Sequence, residues 1–148
     1  MAKIMKPEIV IIHHSLTKDS GTVSAQAIRK YHTEVLGWTD CGYHAIIEMV
    51  GDRPEIIIGR MMNEQGAHTR RHNRNSYGLC FVGNYDKDEV PPKMWHLGVR
   101  FVASLCDVLN IETRYIFAHN EFSNYKTCPG KNFSVLGFQA NVRDLLNT

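Results

Sequence analysis

The sequence lacks the long hydrophobic runs, blocks of like charge and low-complexity tracts that mark several large classes of protein. No stretch approaches the roughly 18 apolar residues that a membrane-spanning helix requires. The 17 basic and 15 acidic residues leave a formal charge of +2, which is too small to indicate nucleic-acid binding by itself. The five prolines are scattered, and no internal repeat is present. These absences exclude a disordered tail, a coiled coil and a collagen-like fibre.

The sequence also has no closely spaced cysteine pair and no recognisable secretory leader. Its four cysteines form no Cys-x-x-Cys motif, so we expect free thiols in a reducing compartment. We expect Cys41, Cys80 and Cys106 to be buried as small hydrophobic side chains. The segment from Met1 to Pro7 leads straight into an apolar run and has no small-residue cleavage site. We therefore expect the protein to be cytoplasmic on synthesis.

The 148 residues, of which 43% are hydrophobic and 22% charged, are typical of one globular domain, and we expect residues 1–148 to form it. Apolar β-branched runs predict strands, whereas apolar residues three and four apart predict helices. The predicted strands are Glu8–His14, Tyr43–Val50, Glu55–Gly59, Tyr77–Val82 and Arg114–Ala118, and the predicted helices are Ser24–Leu36, Pro91–Leu109 and one that Ser134 caps and that ends near Leu146. This alternation indicates an α/β domain, with a sheet covered by helices on its faces.

Eight histidines are present, and two of them lie where predicted strands end. His13 closes the first strand, His119 follows the last, and Cys128 comes nine residues after His119. In open α/β sheets, ligands bind beyond the carboxyl ends of the strands. Two imidazoles and a thiolate suit zinc, with a fourth position left for water. Because the spacing is not a tight metal signature, half-buried structural histidines and a structural cysteine are the alternative.

Five short blocks together resemble a known enzyme family. They are Ile11-Ile-His-His-Ser-Leu-Thr17, Gly37-Trp-Thr-Asp-Cys-Gly-Tyr-His-Ala-Ile-Ile47, Gly66-Ala-His68, Asn75-Ser-Tyr-Gly78, and Ala118-His119 followed by Lys126-Thr-Cys-Pro129. In this order they resemble the zinc-dependent N-acetylmuramoyl-L-alanine amidases of the type-2 family, which includes the peptidoglycan recognition proteins. The resemblance is strongest to the short amidase-type phage lysozymes. It implies the mixed-sheet fold of that family.

The resemblance also implies one zinc ion per chain, held by His13, His119 and Cys128. The family's ligand is the first histidine of its block, and neighbouring side chains on a strand point to opposite faces, so His14 is not expected to bind the same metal. Many relatives carry aspartate where Cys128 stands, while the phage and recognition-protein branch carries cysteine.

Two further positions match active-site residues of the family, namely Tyr43 and Lys126. Amide hydrolysis needs an activated water and a donor for the oxyanion of the tetrahedral intermediate. Lys126 can bring a positive donor to that oxyanion, and Tyr43 offers a phenol that can hydrogen-bond the water or the intermediate. The alternatives are an ordinary strand aromatic and a solvated loop lysine. The group that accepts the water's proton stays open, since the glutamate used by some relatives has no evident counterpart here.

Candidate substrate contacts lie in the segment from His68 to Asn75. His68 lies in a loop that lines the groove in relatives, and Asn75 opens another of the blocks. Arg70, Arg71 and Arg74 form the one concentrated basic patch. Arginine forks could hold the free carboxylates of peptidoglycan stem peptides, and we expect one or two of the three to do so. A solvated loop is the alternative. His32, His44 and His96 are expected to be structural or surface residues.

The resemblance implies cleavage of the bond between N-acetylmuramic acid and the L-alanine of the stem peptide. The absence of a leader favours a phage or prophage endolysin that reaches the cell wall after the inner membrane opens. A cytosolic amidase that recycles muropeptides and a peptidoglycan-binding module without activity are the alternatives. No nucleic-acid partner is expected, and the resemblance alone implies a phage RNA polymerase as a further partner.

Overall fold

A computed structural model describes residues 3–16 and 24–148 of the chain. Met1 and Thr17 lie outside these ranges. The described residues form one five-stranded sheet. Its strands are β1 (Ile9–His14), β2 (Ala45–Val50), β3 (Arg53–Ile58), β4 (Ser76–Phe81) and β5 (Ile116–Ala118), in the order β3-β2-β4-β1-β5. β3 pairs antiparallel with β2, and all other neighbours are parallel. The predicted α/β fold with a mixed sheet is therefore confirmed.

Three main helices accompany the sheet: α1 (Ala25–Lys30), which continues as a π-helix over Tyr31–Val35, α2 (Pro92–Leu109) and α3 (Val135–Leu146). The predicted cap of α3 is present, because Ser134 Oγ accepts a hydrogen bond from Gly137 N at 3.0 Å, and Ser24 caps α1 in the same way, with Ala27 N at 3.1 Å. None of these helices is both long and apolar enough to cross a membrane, as far as the chain is described.

The boundaries of the predicted strands differ by one or two residues from the observed ones, and the shift in the last strand has a local cause. The strand expected from Arg114 begins only at Ile116, because Thr113–Tyr115 form a 3₁₀ helix. The amide of Tyr115 donates to the carbonyl of Glu112 at 2.9 Å. The amide of Tyr115 is therefore used in a local turn, whereas in a longer strand it would be available to pair with a neighbouring strand.

The two faces of the sheet bury different cores. Val10, Ile12, Leu79 and Phe81 belong to the larger core, which includes side chains of α2 and α3. The opposite face carries a small cluster beside α1, made by Ala25, Cys41, Ile46, Cys80 and Val82. Since side chains alternate along a strand, His13 and His14 face opposite sides. The expected burial of Cys41, Cys80 and Cys106 is confirmed.

Candidate metal centre and active site

The structure brings His13, His119 and Cys128 together at the carboxyl end of β1. One donor atom from each residue lies within 4.8 Å of the other two. Cys128 Sγ is 3.8 Å from His13 Nδ1, and the ring centroids of His13 and His119 are 4.4 Å apart. Two imidazole nitrogens and a sulfur at these separations form a donor set that could hold a transition-metal ion.

Strand pairing explains why the two histidines meet. β1 and β5 are parallel neighbours, and Ile12 pairs with Ala118. The residue that follows each member of this pair in the chain is a histidine, so His13 and His119 lie at the same edge of the sheet. Glu121 Oε2 accepts a hydrogen bond from Ala118 N at 2.6 Å, which stabilises the 3₁₀ turn that begins at His119.

The loop that carries Cys128 is anchored from two sides. Asn120 N donates to the carbonyl of Cys128 at 2.8 Å, next to His119 in the chain. Asp86 accepts hydrogen bonds from Thr127 Oγ1 at 2.7 Å and from the amide of Lys131 at 3.0 Å. The thiol sulfur itself accepts from His14 N at 3.3 Å. The position of Cys128 thus depends on contacts that do not use its sulfur as well as on one that does.

Burial keeps the two imidazoles neutral. It lowers the pKa of His13 well below its ordinary value, with a further contribution from His68, and it lowers the pKa of His119 to about 4. A neutral imidazole has one free lone pair, which is what a metal ligand requires. Burial likewise raises the pKa of the Cys128 thiol to about 11, so a cation must displace its proton.

An unpartnered buried atom points to the same place. His119 Nδ1 is buried and has no hydrogen-bond partner among the described residues. Buried polar atoms in native proteins almost always have a partner, because an unmet one costs about 1–3 kcal/mol. A metal ion beside His13 and Cys128 would satisfy this nitrogen.

The cluster opens into a cavity of about 500 Å³. The three clustered residues, the predicted catalytic residues Tyr43 and Lys126, and the aromatic side chains of His32, Trp38 and Tyr125 are among its lining. His32, which was expected to be a surface or packing residue, packs beside this cavity and is part of its lining. Its Nδ1 accepts a hydrogen bond from Gly42 N at 2.9 Å, and its ring lies 4.6 Å from that of Trp38.

Tyr43 and Lys126 border the cluster from different directions. The half-buried Tyr43 ring lies edge-on to His13, with centroids 5.1 Å apart. Burial, and then the neighbouring sulfurs of Cys80 and Cys128, raise the pKa of Tyr43 well above its ordinary value, so the phenol keeps its proton. Lys126 is exposed and lines this cavity as well as a second one. Its positive charge contributes to the lowered pKa of His119.

The predicted substrate contacts fall in different places. Arg70 and Arg71 line the second cavity, of about 350 Å³, which shares His68, His119, Tyr125 and Lys126 with the first. Arg74 lines neither. His68 lines both cavities, and its Nδ1 also lies 2.9 Å from His13 Nε2, so it contacts a predicted ligand directly.

Asn75 lies apart from the cluster. Its carbonyl accepts hydrogen bonds from the amides of Glu8 and Ile9 at 2.8 and 3.3 Å, and the residue lines neither cavity. Because β1 and β4 are parallel, the residue before β4 lies at the amino end of the sheet, whereas the cluster lies at the carboxyl end.

His44 and His96, which were expected to be structural or surface residues like His32, agree with that expectation. His44 is buried with hydrogen bonds to Glu64 O and Gly78 N, and His96 is exposed on α2.

Sequence reasoning missed Asp86, Thr69 and Trp38. Asp86 anchors the Cys128 loop, and Thr69 Oγ1 lies 3.3 Å from His13 Nε2. Asp86 follows β4 at the carboxyl end of the sheet, which was the one signal that could have drawn attention to it. Thr69 and Trp38 lie in loops that no periodicity marks, although Trp38 stands in one of the blocks that resemble the family.

Comparison with known proteins points to the same family that the five sequence blocks resemble. The sequence profile described as N-acetylmuramoyl-L-alanine amidase matches residues 3–131. An endolysin of Enterobacteria phage T3 is 34% identical over 140 residues, which is 87% of this chain and 87% of that protein. Peptidoglycan-recognition protein SC1a of Drosophila melanogaster is 31% identical over 126 residues. That match covers 81% of this chain and 66% of the relative, just under two thirds of its length.

The fold is shared with solved structures. The N-acetylmuramoyl-L-alanine amidase LysC from Clostridium intestinale superposes with a TM-score of 0.81 at 24% identity. The superposition covers 94% of this chain and 87% of that one.

Proposed function

The chain belongs to the N-acetylmuramoyl-L-alanine amidase family, and from this we propose that it hydrolyses the amide bond between N-acetylmuramic acid and the L-alanine of the peptidoglycan stem peptide. The observation that carries the proposal is the placement of His13, His119 and Cys128 at the end of a cavity bordered by Tyr43 and Lys126. The geometry supports a hydrolase with its reacting groups beside an open cleft.

We take zinc as the metal and His13, His119 and Cys128 as the residues that hold it. The donor set favours zinc, since two imidazoles and one thiolate leave a fourth position open. The unpartnered Nδ1 of His119 fits this assignment. When bound, zinc supplies Lewis acidity, which polarises a carbonyl and lowers the pKa of water toward neutrality.

The remaining chemistry belongs to the side chains around the cluster. Lys126 stands at the mouth of the cavity with its ammonium group exposed, where it donates to the oxyanion that forms on the attacked carbonyl. Tyr43 presents a protonated phenol beside His13, so it can donate a hydrogen bond but not act as a base at neutral pH. Lys126 and Tyr43 are the catalytic residues of the proposal.

The product identifies the bond that is cut. Digestion of purified cell walls is expected to release free N-terminal L-alanine and to create no new reducing sugar ends. Both groups are measured by chemical labelling of the same digest, with heat-inactivated protein as the control. New reducing ends would show a glycosidase and would contradict the proposed reaction.

The biological role that we propose is that of a phage or prophage endolysin. The similarity to the T3 endolysin over 87% of both chains supports it. An endolysin is expected to lyse intact sacculi, whereas a recycling amidase prefers soluble muropeptides. The ratio of the two rates separates these roles.

We also propose that residues 1–148 form one amidase domain. A phage RNA polymerase partner stays a prediction.

The second cavity offers a site for the carboxylates of the stem peptide. Arg70 and Arg71 line it beside Lys126, and arginine forks bind carboxylates with charge-assisted hydrogen bonds. His119 is part of this lining, so a peptide that reaches the proposed metal site can extend past both arginines. We assign the substrate-binding role to Arg70 and Arg71, with His68 at the boundary of the two cavities.

Replacing Arg70 or Arg71 by alanine is expected to raise KM about two- to fivefold each and to leave kcat nearly unchanged. Exposed ion pairs contribute at most about 1 kcal/mol, and this contribution exists before the transition state. The effect should shrink with added salt, because exposed charges are screened over roughly 8–10 Å. Arg74→Ala is the matched control, since Arg74 is exposed but lines neither cavity. Equal KM values for all four proteins at low salt would leave the loop without a role in binding.

A further inference from the structure

The hydrogen bonds around His68 form a chain that ends on the predicted ligand His13. Ser76 Oγ lies 2.6 Å from the carbonyl of His72 and 3.2 Å from His68 Nε2. On the other side of the ring, His68 Nδ1 lies 2.9 Å from His13 Nε2. Residues that are 55 positions apart in the sequence thus share one hydrogen bond beside the metal cluster.

The direction of each hydrogen bond follows from the available protons. A carbonyl can only accept, so Ser76 gives its single hydroxyl proton to His72 O. The oxygen atoms that face His68 Nε2 are then both acceptors, namely Ser76 Oγ and, at 3.4 Å, Ser76 O. His68 must therefore carry its proton on Nε2.

The same logic sets the tautomer of His13. A neutral imidazole has one N–H, so His68 Nδ1 is an acceptor and His13 Nε2 is the donor at 2.9 Å. His13 Nδ1 is then left with its lone pair, and this is the atom that faces Cys128 Sγ at 3.8 Å.

The His68 ring is held in place by close packing and by its own loop. A Cβ atom at Gly78 would lie 2.5 Å from two ring atoms of His68, and one at Gly66 would lie 2.7 Å from its Cδ2. Asn73 Oδ1 accepts hydrogen bonds from the amides of His68 and Thr69 at 2.9 and 2.8 Å. Two glycines make room for the ring, and Asn73 fixes the backbone that carries it.

We propose that His68 is a positioning residue that holds His13 in the Nε2–H tautomer and directs its Nδ1 toward Cys128 and His119. The inference rests on the proposed function for the identity of the metal, and it gives His68 a role beyond lining the substrate cavity. Metal-binding histidines commonly donate their other ring N–H to a fixed acceptor, and loss of that acceptor typically weakens metal binding about 10- to 100-fold.

Two substitutions separate the hydrogen bond from the volume of the side chain. His68→Leu fills similar space without an acceptor, whereas His68→Asn keeps an acceptor oxygen near the position of Nδ1. Zinc affinity, measured by competition with a chromophoric chelator, is expected to fall about 10- to 100-fold in His68→Leu and to recover most of that loss in His68→Asn. His44→Leu is the control, because His44 is a buried histidine that loses two hydrogen bonds, neither of them to a cluster residue.

A second measurement reads the tautomer without metal or substrate. Long-range ¹H–¹⁵N correlation spectra of the metal-free protein are expected to show His13 protonated on Nε2 and His68 also protonated on Nε2. In His68→Leu, we expect His13 to become a mixture of both tautomers.

The outcomes distinguish this inference from the proposed function. Wild-type protein that binds no zinc would overturn the proposed metal, while the tautomer spectra would still decide the role of His68. A His13 protonated on Nδ1 in the wild type would overturn the inference, and this result does not require any variant to fold. Unchanged zinc affinity in a folded His68→Leu variant would overturn it as well.

Discussion

Replacing Cys128 by serine is expected to abolish zinc binding and hydrolysis together. A serine hydroxyl stays protonated at neutral pH and is a poor zinc ligand, whereas a thiolate is among the strongest. Two neutral imidazoles alone form an incomplete site, so zinc content should fall from one per chain to near zero. Activity on cell walls should fall to the level of a blank.

The structure indicates that this variant will fold. The loop is anchored through the carbonyl of Cys128 and through Asp86, and neither contact uses the sulfur. The melting temperature of the metal-free variant should therefore stay close to that of the metal-free wild type. Cys106→Ser makes the same chemical change in a buried position of α2 and should retain its zinc. Full zinc occupancy in Cys128→Ser would show that the cysteine is not a ligand.

The substitution Lys126→Ala, which removes the side-chain amine, is expected to lower kcat strongly while zinc stays bound. The loss of one oxyanion donor costs about 10²–10³-fold. Zinc binding should not weaken, because the positive charge of Lys126 opposes a cation beside His13 and His119. After burial, this charge is one of the influences that lower the pKa of both imidazoles. Lys131→Ala is the control within the same loop, since Lys131 is exposed and contributes its backbone amide to Asp86.

Tyr43→Phe belongs to the same experiment and tests the phenol. A positioned proton donor is commonly worth about 10²–10⁴-fold, and the ring that packs beside His13 is kept. Tyr77→Phe is the control, because Tyr77 lies in the main core on the opposite face of the sheet. Steady-state rates are measured together with zinc content for all four variants. Near-normal rates with zinc bound in Lys126→Ala or Tyr43→Phe would show that the substituted residue has an ordinary structural role and no role in catalysis.

Local sequence patterns determined most of the elements, and the resemblance to the amidase family identified the clustered residues. Alternation along β1 separated His13 from His14 before any contact was known, because neighbouring side chains on a strand face opposite sides. Ser24 and Ser134 marked helix starts, since their hydroxyls accept from amides three residues ahead. These features depend on residues near one another in the chain, and the same holds for each of the family blocks.

Only the tertiary structure decided how distant residues meet. The strand order β3-β2-β4-β1-β5 places β5 beside β1 and so unites His119 with His13, while the parallel pairing of β4 puts Asn75 at the far end of the sheet. His32 reached the cavity, and His68 reached His13, through loops whose paths no periodicity encodes. The physical reason is that a side chain's local pattern reports only whether it is buried and on which face of its element. Its partners are set by strand order, register and packing, which involve the whole chain at once.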